Sequence, residues 1–291
     1  MRTLRSAACL LLSAAGALLA EAAGDPTLLS LVMPDAKSIS GINIEQSRTS
    51  PFGRLLLARI EADGDLDRLA EATGFDPRLG LTEIVAASSA DGSKLALVRG
   101  TFQPSRIATF AKATGSSIAK YHGYAMVDGQ TEHPGQSLVF LDASTVALGD
   151  TQAVKAVIDR RVAGTQFTGA IAQKALEVSS SSHAWFVSSM SPTDLPSSRS
   201  NPMELVRQFS GGVTFGQDTV TLDADALTPS VEDARTLRDF LKMLASKGIK
   251  FFDAAQFDTA ETILRIHLSL PEADAEQLLL NPPELKGPAR P

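Results

Sequence analysis

Cysteine is nearly missing from this chain: Cys9 is the only one in 291 residues. It sits in the apolar stretch "AACLLLSAAGALLA", with too little hydrophobic sequence before it to be a lipidation cysteine. No disulfide and no thiol chemistry are therefore open to the rest of the protein, and its stability must come from an ordinary core. Aromatic residues are scarce at 5%, with one Trp and two Tyr, which argues against the stacking platforms of a carbohydrate enzyme. Runs of Lys and Arg interleaved with aromatics are absent, so nucleic acid is excluded as an expected partner. No basic amphipathic segment points to a membrane surface. No stretch beyond the N-terminus has the uncharged length of a membrane helix, so a span across the bilayer is not expected in the mature protein.

The first residues supply what the rest lacks. Arg2 and Arg5 precede a charge-free run from Ala7 to Ala20, and Ala20-Glu21-Ala22 is a small-x-small site. This is the pattern of a secretory signal peptide over 1–22, cleaved after Ala22. Removing Arg2, Arg5 and Glu21 takes a net +1 from the overall −6 and leaves −7. The expected location is extracytoplasmic, either periplasmic or secreted. The remaining chain, roughly 270 residues, is enough for one large domain or two smaller ones.

Periodicity and punctuation give the element order. "SISGINIEQ" (38–46) alternates as a strand. Ser50-Pro51 starts a helix, and 65–74 continues helical to Gly74. Residues 83–102 form a hairpin about Asp91-Gly92 and lead into a Pro104-started helix over 103–115. "SIAKYHGYAMVDG" (117–129) reads as one strand, and "QSLVFLD" and "TVALGD" pair about Ala143-Ser144. A helix then opens at Thr151, with Asp150 as its N-cap and Val154, Val157 and Ile158 on its buried face.

The second half begins with a helix over 170–178 and a strand over 179–190, followed by a polar loop over 191–202. "NPMELVRQF" predicts a helix at 202–209. Residues 211–227 make a hairpin turning at Gly216-Gln217-Asp218. The helix at 228–248 is capped by Thr228, with Val231, Ala234, Leu237, Leu241 and Leu244 as its core stripe. "KFFDAAQFD" and "TILRIHLSL" supply the last strands before a helix at 271–280 and a disordered tail at 281–291. The order strand, helix, hairpin, Pro-started helix, strands, closing helix thus occurs twice. The expected fold is α+β, with two related units of antiparallel sheet (23–178 and 179–280, possibly continuous) and helices packed on one face.

"GFDPRLGLTEIVAASSADGSKLALVRGTFQPSRIATFAKATG" together with "VFLDASTVALGDTQAVKAVIDRR" resembles a family of exported bacterial proteins built of duplicated α+β units. The matching positions are Gly74, Asp76, Pro77, Pro104, Gly149, Asp150 and Ala153, all cap or turn residues. "LLSLVMPDAKSISGINIEQSRTSPFG" is likewise similar to the opening of secreted soil-bacterial proteins. The resemblance covers 27–161. It implies an envelope or secreted protein, and it transfers no catalytic residue.

Catalytic signatures are sparse. His122, His133, His183 and His267 are the only histidines, and none has a second ligand at i, i+4, so no metal site is expected. Ser117 and Lys120 match S-x-x-K but enter a strand rather than opening a helix. Asp223 and Asp225 share a strand face, where paired carboxylates could serve acid–base work but more simply form a solvated surface. Gly149-Asp150-Thr151 at a helix start could hold an anion, yet Asp150 already fills that place. The reading has no catalytic, cofactor or metal residues. It describes a non-enzymatic binding or scaffold protein of the envelope or extracellular space, with an envelope protein as partner. The alternatives are a carrier of an apolar ligand, and a hydrolase built from distant residues such as His122 and Asp223.

Overall fold

A computed structural model describes residues 26–61, 75–106, 109, 116–128, 135–189, 202–246 and 254–280. The expected signal peptide, His133, the helix at 65–74, most of the helix at 103–115, the loop at 191–202 except Pro202, and the tail lie outside these residues.

Twelve strands form a single antiparallel sheet. They are β1 (Ala36–Asn43), β2 (Leu81–Ser89), β3 (Lys94–Gly100), β4 (Ile118–Tyr121), β5 (Tyr124–Asp128), β6 (Gln136–Phe140), β7 (Thr145–Asp150), β8 (Ala184–Ser189), β9 (Gln208–Phe215), β10 (Thr219–Leu227), β11 (Ala255–Ala260) and β12 (Ile263–Pro271). Their spatial order is β11-β12-β10-β9-β8-β1-β2-β3-β7-β6-β5-β4. The two expected units therefore share one sheet, joined where β1 pairs with β8. Outward from that seam the order is β1-β2-β3-β7-β6 on one side and β8-β9-β10-β12-β11 on the other.

Eight described helices flank the sheet: α1 (Pro26–Leu29), α2 (Ile44–Ser47), α3 (Pro51–Glu61), α4 (Pro77–Gly80), α5 (Thr151–Ala163), α6 (Ala170–Ser181), α7 (Val231–Ala245) and α8 (Glu272–Leu280). The α+β class holds, but the helices are not confined to one face. Side chains alternate along a strand, so register assigns each to a side. Ile39, Trp185, Val187, Val85, Leu97 and Ala147 face the side taken by α5 and α6. Ala226, Phe257 and Leu264 face the other side and pack with Leu237 and Leu241 of α7. Phe215, on that same side, meets Phe52 of α3 at 5.2 Å between ring centroids. The central strands are thus covered twice, which is why β2 and β3 read as nearly continuous apolar sequence.

Several local details differ from expectation. The segment expected as one strand is a hairpin over 118–128, β4 and β5, because His122 (φ +47°) and Gly123 (φ +87°) make the two-residue turn that Asn-Gly more often makes. The segment at 202–209 is a single 3-10 turn, Pro202–Leu205, after which the chain enters β9. The helix expected to end at 178 runs to Ser181, so the boundary placed at 178/179 falls inside α6. Ser230 rather than Thr228 caps α7: its hydroxyl accepts from Asp233 N–H at 3.1 Å. Thr228 instead donates to the Thr262 carbonyl at 2.8 Å, and Val231 is exposed.

Asp150 occupies the N-cap position of α5 but makes no side-chain cap. Its carboxylate accepts from the Lys94 backbone N–H at 2.6 Å and so ties β7 to the start of β3. Gly149 beside it has φ +144°, and a Cβ there would lie 2.2 Å from the Lys94 carbonyl oxygen. Gly149-Asp150 is a lock between strands.

Candidate polar groove

Beside α6 the sheet face is left open over β9, β10, β12 and β11. The register builds two cross-strand rows there. One runs Ser210, Asp225, Arg265, Asp258; the next runs Gly212, Asp223, His267, Gln256. All eight point to the α6 side, because strand neighbours in register share a face. They line a groove of about 460 Å³, with Lys174, Glu177 and Ser182 of the α6 region as its wall.

Lys174 projects from α6 over the sheet and donates to Asp225 Oδ2 at 3.0 Å and to Glu177 Oε1 at 2.9 Å. Burial alone would lower its pKa, but the two carboxylates outweigh that effect and hold it above the ordinary lysine value. His267 Nδ1–H donates to Asp223 Oδ1 at 2.7 Å. The floor is low at Gly212, where a Cβ would lie 1.8 Å from Ser182 Oγ; Ser182 occupies that space.

Asp223 and Asp225 do share a face, as their spacing predicts, but each has its own cationic or imidazole partner. His122 is not with them. It sits at the β4–β5 turn, pairs with Asp159 at 3.3 Å, and β5 lies eight strand spacings from β10, roughly 38 Å at ~4.8 Å each. A site joining His122 to Asp223 is ruled out by that distance. The partner of Asp223 is His267, invisible in the sequence because the β10–β12 register is set by distant chain.

His183 is structural: its Nδ1 accepts from Phe215 N–H at 3.0 Å, its ring stacks on Phe215 at 5.4 Å, and burial holds its pKa below the usual histidine value. Ser117 donates to Asp128 at 3.2 Å. Lys120 lies three residues on in extended chain, which turns it to the opposite face from Ser117, so S-x-x-K forms no site. Among the described residues, no three His, Cys, Asp or Glu side chains converge as metal ligands. No described helix is long and apolar enough to cross a membrane.

The fold has relatives among solved structures. Crystal form I of TP0453 matches with a TM-score of 0.55 at 10% identity, covering 88% of this chain and 96% of that one. Crystal form IV of TP0453 matches with a TM-score of 0.56 at 11% identity, covering 92% and 99%. At this identity the likeness is one of fold. No protein-family model matches the chain, and no curated protein does.

Proposed function

We propose that this protein is exported and acts by binding, without catalysis, through the polar groove beside α6. The leader pattern at 1–22 supports export. The observation that carries the binding reading is the pair of in-register polar rows on an open groove, bounded by α6 and reaching the edge strand β11. Four of the ionisable groups there are engaged as pairs, Lys174 with Asp225 and His267 with Asp223, which suits recognition of a polar partner. A charged lining does not favour an apolar cargo.

The two halves are also read as copies of one unit. The matching strand orders on either side of the β1–β8 seam support this. The closing helices have diverged, since α5 covers one face and α8 packs with α3 and β12 on the other.

Site-specific photo-crosslinking tests the binding reading. A photoreactive residue replacing Gln256 should capture an envelope component that the same probe at Arg238, on α7, does not. Equal capture at both positions, or a co-purifying lipid with no groove crosslink, would refute it.

A further inference from the structure

An Asp-Gly step is chemically fragile, because glycine puts no side chain in the way of attack on the neighbouring carboxyl. At Asp91-Gly92 the Gly92 nitrogen would bond to Asp91 Cγ, its proton and the carboxyl hydroxyl leaving as water. Water then opens the five-membered imide at either carbonyl. Opening at the Asp91 main-chain carbonyl routes the backbone through Cγ, as isoaspartate, and inserts one carbon into it. Asp91 and Gly92 lie exposed at the tip of the β2–β3 hairpin. Gly92 has φ +87°, and nothing lies within 4 Å of where its Cβ would be. Exposure and open space alone would leave this turn to rearrange.

Both reacting groups are held instead. Gly92 N–H donates to the Ser89 carbonyl at 3.2 Å, which engages the proton the nucleophile must lose. Asp91 Oδ1 accepts from Ser89 Oγ and, two residues on, from Ser93 N–H at 2.9 Å. These hydrogen bonds, that of Ser89 foremost, hold the Asp91 carboxyl below its ordinary pKa and so keep it ionised. A carboxylate has no hydroxyl to lose as water. Ser89 is itself fixed: it is buried, ends β2, and its N–H donates to the Ser93 carbonyl at 3.0 Å. We propose that the Ser89 hydroxyl guards the Asp91-Gly92 turn against isomerisation, and that the turn becomes a modification site once that hydroxyl is lost. The position matters because Lys94 follows two residues after Gly92. Its N–H binds Asp150 and its carbonyl sits against Gly149, so an extra backbone carbon at the turn would enter the β3–β7 lock.

Peptide mapping of the purified protein after prolonged warm incubation tests this, with the isomers at Asp91 separated by chromatography and identified by mass. The isolated peptide 86–96 is the unrestrained reference. Isoaspartate should form more slowly in the native protein than in the peptide. Ser89→Ala should speed it about tenfold at neutral pH, the factor expected for one lost hydrogen bond to a charged group. Ser89→Thr, which keeps the hydroxyl and suits a strand, should stay within about twofold of the native rate. In acid, where Asp91 is protonated in both proteins, the Ser89→Ala and native rates should converge. Equal rates in native protein and peptide would overturn the proposal, as would an unchanged rate in Ser89→Ala. So would a Ser89→Ala excess as large in acid as at neutral pH, which would mean that the substitution merely loosens the hairpin.

Discussion

Gly149→Ala tests the lock between β7 and β3. Gly149 has φ +144°, a region nearly closed to residues with a Cβ, and adopting it costs about 1–3 kcal/mol. The added methyl would also stand 2.2 Å from the Lys94 carbonyl oxygen, a backbone atom that cannot rotate away. Overpacking of this kind costs about a further 1–3 kcal/mol. The combined loss, roughly 2–6 kcal/mol, is a large share of the ~5–15 kcal/mol that holds a typical domain together. In thermal denaturation it corresponds to a fall of about 4–24 °C in midpoint for a domain of this size. Gly164→Ala is the matched control. Gly164 ends α5 at φ +66° with nothing within 4 Å of an added methyl, so only the backbone cost of ~1–2 kcal/mol applies. A Gly149→Ala protein that melts no lower than Gly164→Ala would refute the close approach of β7 to β3.

Asp150→Ala should lose about 1 kcal/mol in urea denaturation, and Asp150→Ser, a good helix cap, should not restore it; full rescue by Ser would mean that Asp150 caps α5 after all. Ser230→Ala should cost about 1 kcal/mol by removing the cap of α7, and a neutral result would return that role to Thr228. His183 has its folded pKa below its unfolded value near 6.5, so the folded state binds fewer protons between the two. Stability is then complete above about pH 6.5 and declines as pH falls toward the folded pKa. His183→Asn, which keeps an acceptor for Phe215 N–H, should flatten that decline in melts across the range, and an unchanged pH profile would contradict the assignment.

Local signals in the sequence are strong where the chain punctuates itself. Asp91-Gly92, Ala143-Ser144 and Gly216-Gln217-Asp218 each mark a hairpin turn that the structure contains. Ser50-Pro51 starts α3 as expected, with Ser50 Oγ accepting from Gly53 N–H at 3.0 Å. The His122-Gly123 turn is hidden because histidine seldom takes φ > 0, so the pattern predicts one strand in place of two. "NPMELVRQF" has a helical start, but Phe209 and Gln208 pair with β8 and β10, and the sheet overrides local propensity. The groove is only half legible. The shared face of Asp223 and Asp225 follows from strand alternation, whereas Lys174, Arg265 and His267 join them through tertiary packing and strand register. Those are fixed by contacts across up to about fifty residues of chain, which no local pattern encodes.

Amide hydrogen exchange, with and without the partner captured through Gln256, tests the groove most directly. Slowing confined to the edge strand β11 and to the α6 wall, with α7 on the opposite face unchanged, is the predicted result. Slowing on α7 with β11 and α6 unaffected would place binding elsewhere and contradict the account.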